Sequence, residues 1–280
     1  MTSRANGIAE NLARVPVRRM GAAQDDAEGR DQVAVEEPLE IRLTFSRDGE
    51  SHTQSLSITM RTPGDDVELA TGFLLTEGII SSAEQIIQVD ALEQNIITLT
   101  LRDDVIVDIA SAQRNFYMTS SCGVCGKASL ESLKLNSAFD LSTSGFRIGG
   151  DHLLGLPAAM TARQVAYGAT GGVHAAATFD AGGVLFDLHE DIGRHNAVDK
   201  LVGAALKAGY VPLLDKGLLV SGRASFEIMQ KAMMAGLPLV VAVGAPSSLA
   251  IDVAWEFGMT LAGFARDGRF NIYAGPKRII

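Results

Sequence analysis

The stretch "SSCGVCGK", residues 120–127, holds the two cysteines of the chain, Cys122 and Cys125, each followed by a glycine. Cysteines two residues apart occur in zinc sites, in thiol–disulfide redox centres and in nucleophilic sites where a second thiol assists. A structural zinc site needs two further ligands, which only histidines or carboxylates could supply here. Because the chain has no other cysteine, we expect no structural metal at this pair.

The residues around the cysteines favour a reactive thiol that carries a group. We predict a helix from about Lys127, whose unpaired amides and dipole would stabilise a thiolate or a persulfide beside the lysine charge. Gly123 and Gly126 would let the backbone move a sulfur between a donor and an acceptor. A thiol–disulfide oxidoreductase stays an alternative. So does a zinc-dependent hydrolase of the deaminase type, although its HxE element and its proline before the first cysteine are missing.

Four further segments carry groups that bind anions, and each follows a predicted strand or opens a predicted helix. Loops at the carboxyl ends of strands form the ligand crevice of open α/β sheets, and glycine-rich helix starts bind phosphate. None of the segments matches a P-loop or the GxGxxG fingerprint. Together they predict a large phosphate-bearing ligand. The segments are "HEDIGRHNAVDK" (189–200), "VSGRASFE" (220–227), "GAPSS" (244–248) and "FARDGR" (264–269).

The pattern of the chain predicts an α/β fold in two domains behind a flexible tail at 1–31. Residues 32–111 read as a small α+β domain, with a strand hairpin, a helix from Asp65 or Asp66 to Gly78, and strands at "NIITLTL" and "DDVIVDIA". Residues 112–280 alternate strands and helices, which predicts a sheet with helices on both faces.

Composition narrows the class of protein. The net charge of −9 argues against nucleic acid or a membrane surface as partner, and the longest apolar region, about 237–264, is interrupted by prolines and acids. Polar and acidic residues follow Arg18 and Arg19, where an export signal needs an apolar stretch. We therefore expect a cytoplasmic protein with reduced thiols.

From about Glu37 to the C-terminus the chain resembles the FdhD/NarQ family of formate dehydrogenase accessory sulfurtransferases. Together the matching motifs are far more specific than the CxxC alone. They include "MRTPGDDVELATGFLLTEGII", "TSSCGVCGK", "TGGVHAAA", "EDIGRHNAVDKLVG", "SGRASFEIMQKAMMAGLPLVVAVGAPSSLA" and "GMTLAGFARDGRFNIY".

The resemblance implies a sulfur carrier that takes persulfide sulfur from a cysteine desulfurase and hands it to molybdenum bis(molybdopterin guanine dinucleotide), the cofactor of formate dehydrogenase. It implies a C-terminal domain similar to the cytidine deaminase fold, with Cys122 as the persulfide carrier and Cys125 as a helper or resolving thiol. A non-covalent cofactor chaperone is the alternative. We also expect a homodimer, because the carrier must meet both partners. The residues expected to bind the cofactor are Phe264, Ala265, Arg266, Asp267, Gly268, Arg269, Arg223, His195 and His174.

Overall fold

The computed structural model describes residues 11–21, 24–107 and 139–280. Its first element is an antiparallel hairpin of strands β1 (Leu12–Gly21) and β2 (Gln24–Ala34). The prediction of a flexible tail is therefore wrong for residues 12–21 and 24–31. Half-buried Ala13, Val15 and Val17 alternate with exposed residues, a strand pattern that the mixed charges of the segment had hidden.

A four-stranded sheet follows, in the order β4-β3-β6-β5. Strands β3 and β6 are parallel, and the other pairs are antiparallel. The predicted hairpin and the strand at "NIITLTL" are confirmed, whereas residues 103–107 of "DDVIVDIA" form no strand and the rest of that segment lies outside the described residues. The strands are β3 (Glu37–Arg47), β4 (Glu50–Arg61), β5 (Ile86–Asp90) and β6 (Ile96–Leu101).

Helix α1 (Asp66–Thr76) packs on this sheet. It begins after Asp65, which adopts a left-handed conformation at the N-cap, and it is followed by Gly78 with φ +72°. The predicted helix and its stop are thus confirmed. A short 3₁₀ helix, Ala83–Gln85, leads into β5.

The second sheet has six strands in the order β12-β11-β10-β9-β7-β8. Strands β9, β10 and β11 are parallel, while β12 runs antiparallel to β11 and β7 runs antiparallel to both β9 and β8. These strands confirm the predicted pattern. They are β7 (His174–Phe179), β8 (Leu185–Asp191), β9 (Gly217–Val220), β10 (Leu239–Ala242), β11 (Thr260–Arg266) and β12 (Arg269–Ala274).

Among the described residues, five α-helices accompany this sheet, and they cover both of its faces. One hydrophobic core joins α4, α5 and α6 to one face, and a second core packs α2 against the other. The α/β fold with helices on both faces is therefore confirmed. The helices are α2 (Gly150–Arg163), α3 (Val165–Thr170), α4 (Arg194–Lys207), α5 (Phe226–Met234) and α6 (Ser248–Glu256), with 3₁₀ helices at Leu141–Thr143 and Pro276–Arg278.

Helices α1 and α4 cross at two glycines that allow backbone contact. A Cβ atom on Gly72 would lie 1.9 Å from the Asp199 carbonyl oxygen, and one on Gly203 would lie 1.9 Å from that of Glu68. The first core consequently runs without a break from the four-stranded sheet to the six-stranded sheet. The boundary predicted near residue 111 lies outside the described residues, so the division into 32–111 and 112–280 stays a prediction.

Buried ion pairs strengthen the same junction. Lys231 on α5 lies 2.9 Å from the Asp199 carboxylate and 3.0 Å from that of Glu77, and Asp199 also accepts a hydrogen bond of 2.7 Å from Thr76. Burial raises the pKa of Asp199 to about 6. Burial by itself lowers the pKa of Lys231, but the two carboxylates outweigh it and raise that pKa.

Over the described ranges, no helix is both long and apolar enough to cross a bilayer.

Candidate functional site

The strand directions bring the predicted anion-binding loops to one edge of the six-stranded sheet. Parallel β9, β10 and β11 end at this edge, and so does β8. Strand β7 is antiparallel to β8 and β9 and therefore begins there, with His174 as its first residue. The four predicted loops therefore lie at one edge of the sheet, and that they bind a ligand there stays a prediction.

A cavity of about 250 Å³ lies at this edge and contains three arginines. Arg194 comes from the first turn of α4, Arg223 from the loop after β9, and Arg266 from the end of β11. Its walls are His174, Arg194, Ser221, Gly222, Arg223, Val243, Gly244 and Arg266.

The arginines of this cavity are poorly neutralised. Within the described parts of the chain, neither Arg194 nor Arg223 has a carboxylate at ion-pair distance, and the Arg194 Nε is buried without a hydrogen-bond partner. Arg266 Nε lies 3.9 Å from the carboxylate of the neighbouring Asp267. Three guanidinium groups, of which only Arg266 has a carboxylate at ion-pair distance among the described residues, give this cavity the charge that an anion such as a phosphate group requires.

His174 and His195 contribute no positive charge to this edge. Burial, followed by the charge of Arg194, lowers the pKa of His174. Burial, followed by Lys231 and Arg194, lowers the pKa of His195 to about 4. The His195 Nε2 lies 3.4 Å from the Ser225 hydroxyl. The His195 ring lines neither this cavity nor the larger one beside it. Both imidazoles are neutral at physiological pH, so the positive charge comes from the arginines.

A larger cavity of about 870 Å³ adjoins the first and shares its wall of His174, Ser221, Val243 and Arg266. Another wall comes from the end of α2, from Gln164 between the two helices, and from α3. That α2–α3 wall consists of Pro157, Ala158, Met160, Thr161, Ala162, Gln164 and Tyr167.

The segment "FARDGR" is split between the cavities and the core. A bulge in β11 gives Phe264 a φ of +52°, and its N–H donates 3.0 Å to the Gly244 carbonyl. Arg266 and Asp267 therefore line the larger cavity, whereas the Ala265 side chain packs in the second core. Phe264, Gly268 and Arg269 line neither cavity, so their expected contacts with the cofactor stay predictions.

The acidic residues of "HEDIGRHNAVDK" stabilise the fold through hydrogen bonds and ion pairs. Glu190 accepts hydrogen bonds from two backbone amides of α3, and fully buried Asp191 pairs with Lys200 at 2.8 Å. Asp191 also accepts from the amide of Gly193, which orients the turn that presents Arg194. Of this segment, Arg194 alone lines the cavities.

Arg194, Gln164 and Tyr167 are among the cavity residues that sequence reasoning left out of the expected site. Arg194 carried a usable signal, since it follows Gly193 at a predicted helix start. Gln164 and Tyr167 carried none, because nothing in their local pattern separates them from surface residues of a helix. Cys122, Cys125 and the helix predicted from Lys127 lie outside the described residues.

Comparison with known proteins identifies the family of the chain. The model of the FdhD/NarQ family matches residues 34–280. The chain is 46% identical over 259 residues to the "Sulfur carrier protein FdhD" of Streptomyces avermitilis, covering 89% of each chain. It is 39% identical over 253 residues to the protein of the same name from Sulfolobus acidocaldarius, covering 90% of this chain and 93% of the relative.

A solved structure shares the fold. The crystal structure of a candidate formate dehydrogenase accessory protein from Desulfotalea psychrophila superposes with a TM-score of 0.71 at 22% identity, covering 96% of this chain and 99% of the other. The sequence match spans both cysteines and every arginine of the cavities. The chain therefore belongs to the FdhD/NarQ family.

Proposed function

We propose that the chain is a sulfur carrier that accepts sulfur on Cys122 and delivers it to a molybdenum cofactor destined for formate dehydrogenase. The observation that carries this proposal is the family match over residues 34–280, which includes the CxxC stretch, with curated relatives named as sulfur carrier proteins. The arginine-lined cavity supports it independently, because a nucleotide-bearing cofactor needs such a site for its phosphates.

Loading is a nucleophilic exchange between sulfur atoms. The Cys122 thiolate attacks the outer sulfur of a persulfide on a cysteine desulfurase, a new sulfur–sulfur bond forms, and the donor cysteine leaves as a thiolate. Cys122 then carries a persulfide, and the exchange needs no external oxidant or reductant.

The substrate that receives the sulfur is molybdenum bis(molybdopterin guanine dinucleotide). Arg194, Arg223 and Arg266 would bind its phosphate oxygens. They supply the positive charge of the cavity, because the imidazole rings of His174 and His195 are neutral. The adjoining cavity of about 870 Å³ has room for an uncharged part of the same molecule.

Release uses the second cysteine. The Cys125 thiolate attacks the inner sulfur of the Cys122 persulfide, the outer sulfur leaves as sulfide toward the molybdenum, and a Cys122–Cys125 disulfide remains. In this step the Cys125 sulfur is oxidised and the outer persulfide sulfur is reduced, so the electrons balance. A cellular dithiol must then reduce the disulfide before the next cycle.

Incubation with a cysteine desulfurase and cysteine should add about one sulfur atom, roughly 32 Da, to the peptide that contains Cys122. Intact-protein and peptide mass spectrometry measure this gain, and a later treatment with dithiothreitol should remove it. The Cys122→Ala variant should gain no such mass. A protein that binds nucleotide but never gains sulfur would instead be a non-covalent chaperone, and stoichiometric zinc would favour the hydrolase alternative.

Replacing Arg194, Arg223 or Arg266 by glutamine should weaken binding of GDP, a phosphate-bearing part of the proposed cargo, by about tenfold or more each, because a hydrogen bond to a charged group is lost. Calorimetric titration at two salt concentrations measures the loss, which should be larger at low salt. Arg47→Gln removes an exposed charge at the end of β3 and is the matched control. Equal losses in control and cavity variants would contradict the site.

A further inference from the structure

Arg194 projects into the smaller cavity from a short backbone turn. It is the first residue of α4, and residues 191–193 lead into that helix from the end of β8. Its Nε has no hydrogen-bond partner in the described part of the chain, so the direction of the guanidinium depends on the 191–193 turn. Gly193, the N-cap residue, has no side chain with which to hold this turn, and other residues must do so.

The buried carboxylate of Asp191 holds the turn from below. Its Oδ1 accepts hydrogen bonds from the N–H of Gly193 at 2.8 Å and from the Asn196 Nδ2 at 3.1 Å. A Cβ atom on Gly193 would lie 2.8 Å from that Nδ2, so the contact depends on the glycine. The other oxygen, Oδ2, lies 2.8 Å from the Lys200 ammonium group.

The four-stranded sheet completes the set of hydrogen bonds from the end of β4. Thr62, which follows β4 and is buried, donates its N–H to the Asp191 carboxylate at 3.1 Å. Its hydroxyl accepts a hydrogen bond of 3.0 Å from the N–H of Ile192. The Met60 carbonyl accepts one of 2.8 Å from the Asn196 Nδ2. The four-stranded sheet is thus bonded to the 191–193 turn and to the first turn of α4 that follows it.

The other two arginines of the cavity are held within the six-stranded sheet. Arg223 precedes Ala224, whose N–H donates 3.2 Å to the Ala245 carbonyl in the loop after β10. Arg266 ends β11, which is hydrogen-bonded to β10 and β12. The contacts from β4 therefore bear on the direction of Arg194.

We propose that Thr62 and Asn196 are positioning residues for anion binding, through which the four-stranded sheet fixes Arg194 in the smaller cavity. Charge-assisted hydrogen bonds depend on distance and angle, and a displacement of about 1 Å is enough to impair a positioned group. The inference rests on the proposed function, because the arginine cavity is the proposed phosphate site. It gives the four-stranded sheet a part in binding, although none of its described residues is in the wall of either cavity.

The test is calorimetric titration with inorganic pyrophosphate, which carries phosphate groups and nothing else. Thr62→Val should weaken binding about fivefold, because it removes the acceptor of the Ile192 amide and leaves the Thr62 N–H in place. Thr62→Ser keeps the hydroxyl and should stay within about twofold of wild type. Asn196→Ala removes the second contact and should also weaken binding, which keeps the proposal testable if Thr62→Val folds poorly.

Thr76→Val is the matched control for general loosening of the junction between the sheets. Thr76 is fully buried at the end of α1, and its hydroxyl donates 2.7 Å to Asp199 on α4. Loss of this bond should lower the free energy of unfolding, measured by urea denaturation, without changing the affinity for pyrophosphate. A loss of affinity in Thr76→Val as large as that in Thr62→Val would overturn the inference.

A double-mutant cycle shows which arginine Thr62 acts through. In an Arg194→Gln chain, Thr62→Val should add less than about twofold, because the side chain that it positions is already gone. In an Arg223→Gln chain it should keep its full effect of about fivefold. Equal effects in the two chains would assign Thr62 a merely structural role.

The outcomes also separate this inference from the proposed function. Wild-type affinity in both Thr62→Val and Asn196→Ala, with a loss in Arg194→Gln, would overturn the positioning role and leave the arginine cavity standing. A wild-type chain that binds no pyrophosphate would overturn the cavity and the inference together. The mass gain at Cys122 tests sulfur transfer independently of either result.

Discussion

Replacing Cys122 by alanine should abolish formate dehydrogenase activity in cells that depend on this chain for it. Without the thiolate no persulfide forms, and a covalent route that loses its nucleophile typically loses several orders of magnitude in rate. The measurement is formate-dependent dye reduction in extracts of a host that lacks its own family member and is complemented by the variant. The formate dehydrogenase polypeptide should still be present, because its synthesis does not require the carrier.

Cys125→Ala is the informative partner to that experiment. In the proposed cycle it leaves loading intact, so the persulfide should accumulate on Cys122 while delivery slows. Activity similar to wild type would remove Cys125 from the release step without affecting Cys122. Formate dehydrogenase activity in cells that carry the Cys122→Ala variant would contradict the assignment of Cys122 as the sulfur carrier.

The Lys231→Met variant should lower the free energy of unfolding by about 3–5 kcal/mol, because it leaves the Asp199 carboxylate buried without its cation. Lys231 is 5% exposed, and it also binds Glu77 beyond the end of α1. The loss therefore falls on the junction between the two sheets. Urea denaturation at pH 8, followed by circular dichroism, measures it.

The same variant should show a deficit that depends on pH. The pKa of Asp199 already lies above its unfolded value, and removal of Lys231 raises it further. The folded variant therefore keeps a proton that the unfolded chain releases, so stability is retained at low pH and lost as the pH rises through the folded pKa. The deficit should be clearly smaller at pH 5 than at pH 8.

Lys207→Met is the control for this pair of experiments. Lys207 lies 3.0 Å from Glu68 of α1 and also links α4 to α1, but its side chain is 66% exposed. Solvent screens this pair, so we expect a change below about 1 kcal/mol with little pH dependence. A similar loss in both variants would mean that burial does not control the strength of these contacts.

Local pattern was sufficient for most secondary structure of the described residues and for the edge of the sheet at which Arg223 and Arg266 lie. Periodic apolar residues in a strand or helix report its own buried face, and a strand followed by a helix predicts where its loop will lie. Arg223 and Arg266 could be assigned for that reason. Helix α2 was not predicted, since Gly155 and Pro157 obscure its pattern, and the hairpin of β1 and β2 was hidden by its charges.

The sequence by itself determined the family, the two thiols and the order of most strands and helices in the described residues. Only the tertiary structure decided which polar side chains line the cavities. His195 stands beside Arg194 in the chain, yet burial near Lys231 keeps it neutral and outside the cavities. Glu190 reaches across 24 residues to fix α3 and thereby Gln164. Desolvation and charge act through space, so residues distant in the sequence determine whether a polar side chain binds a ligand or supports the fold.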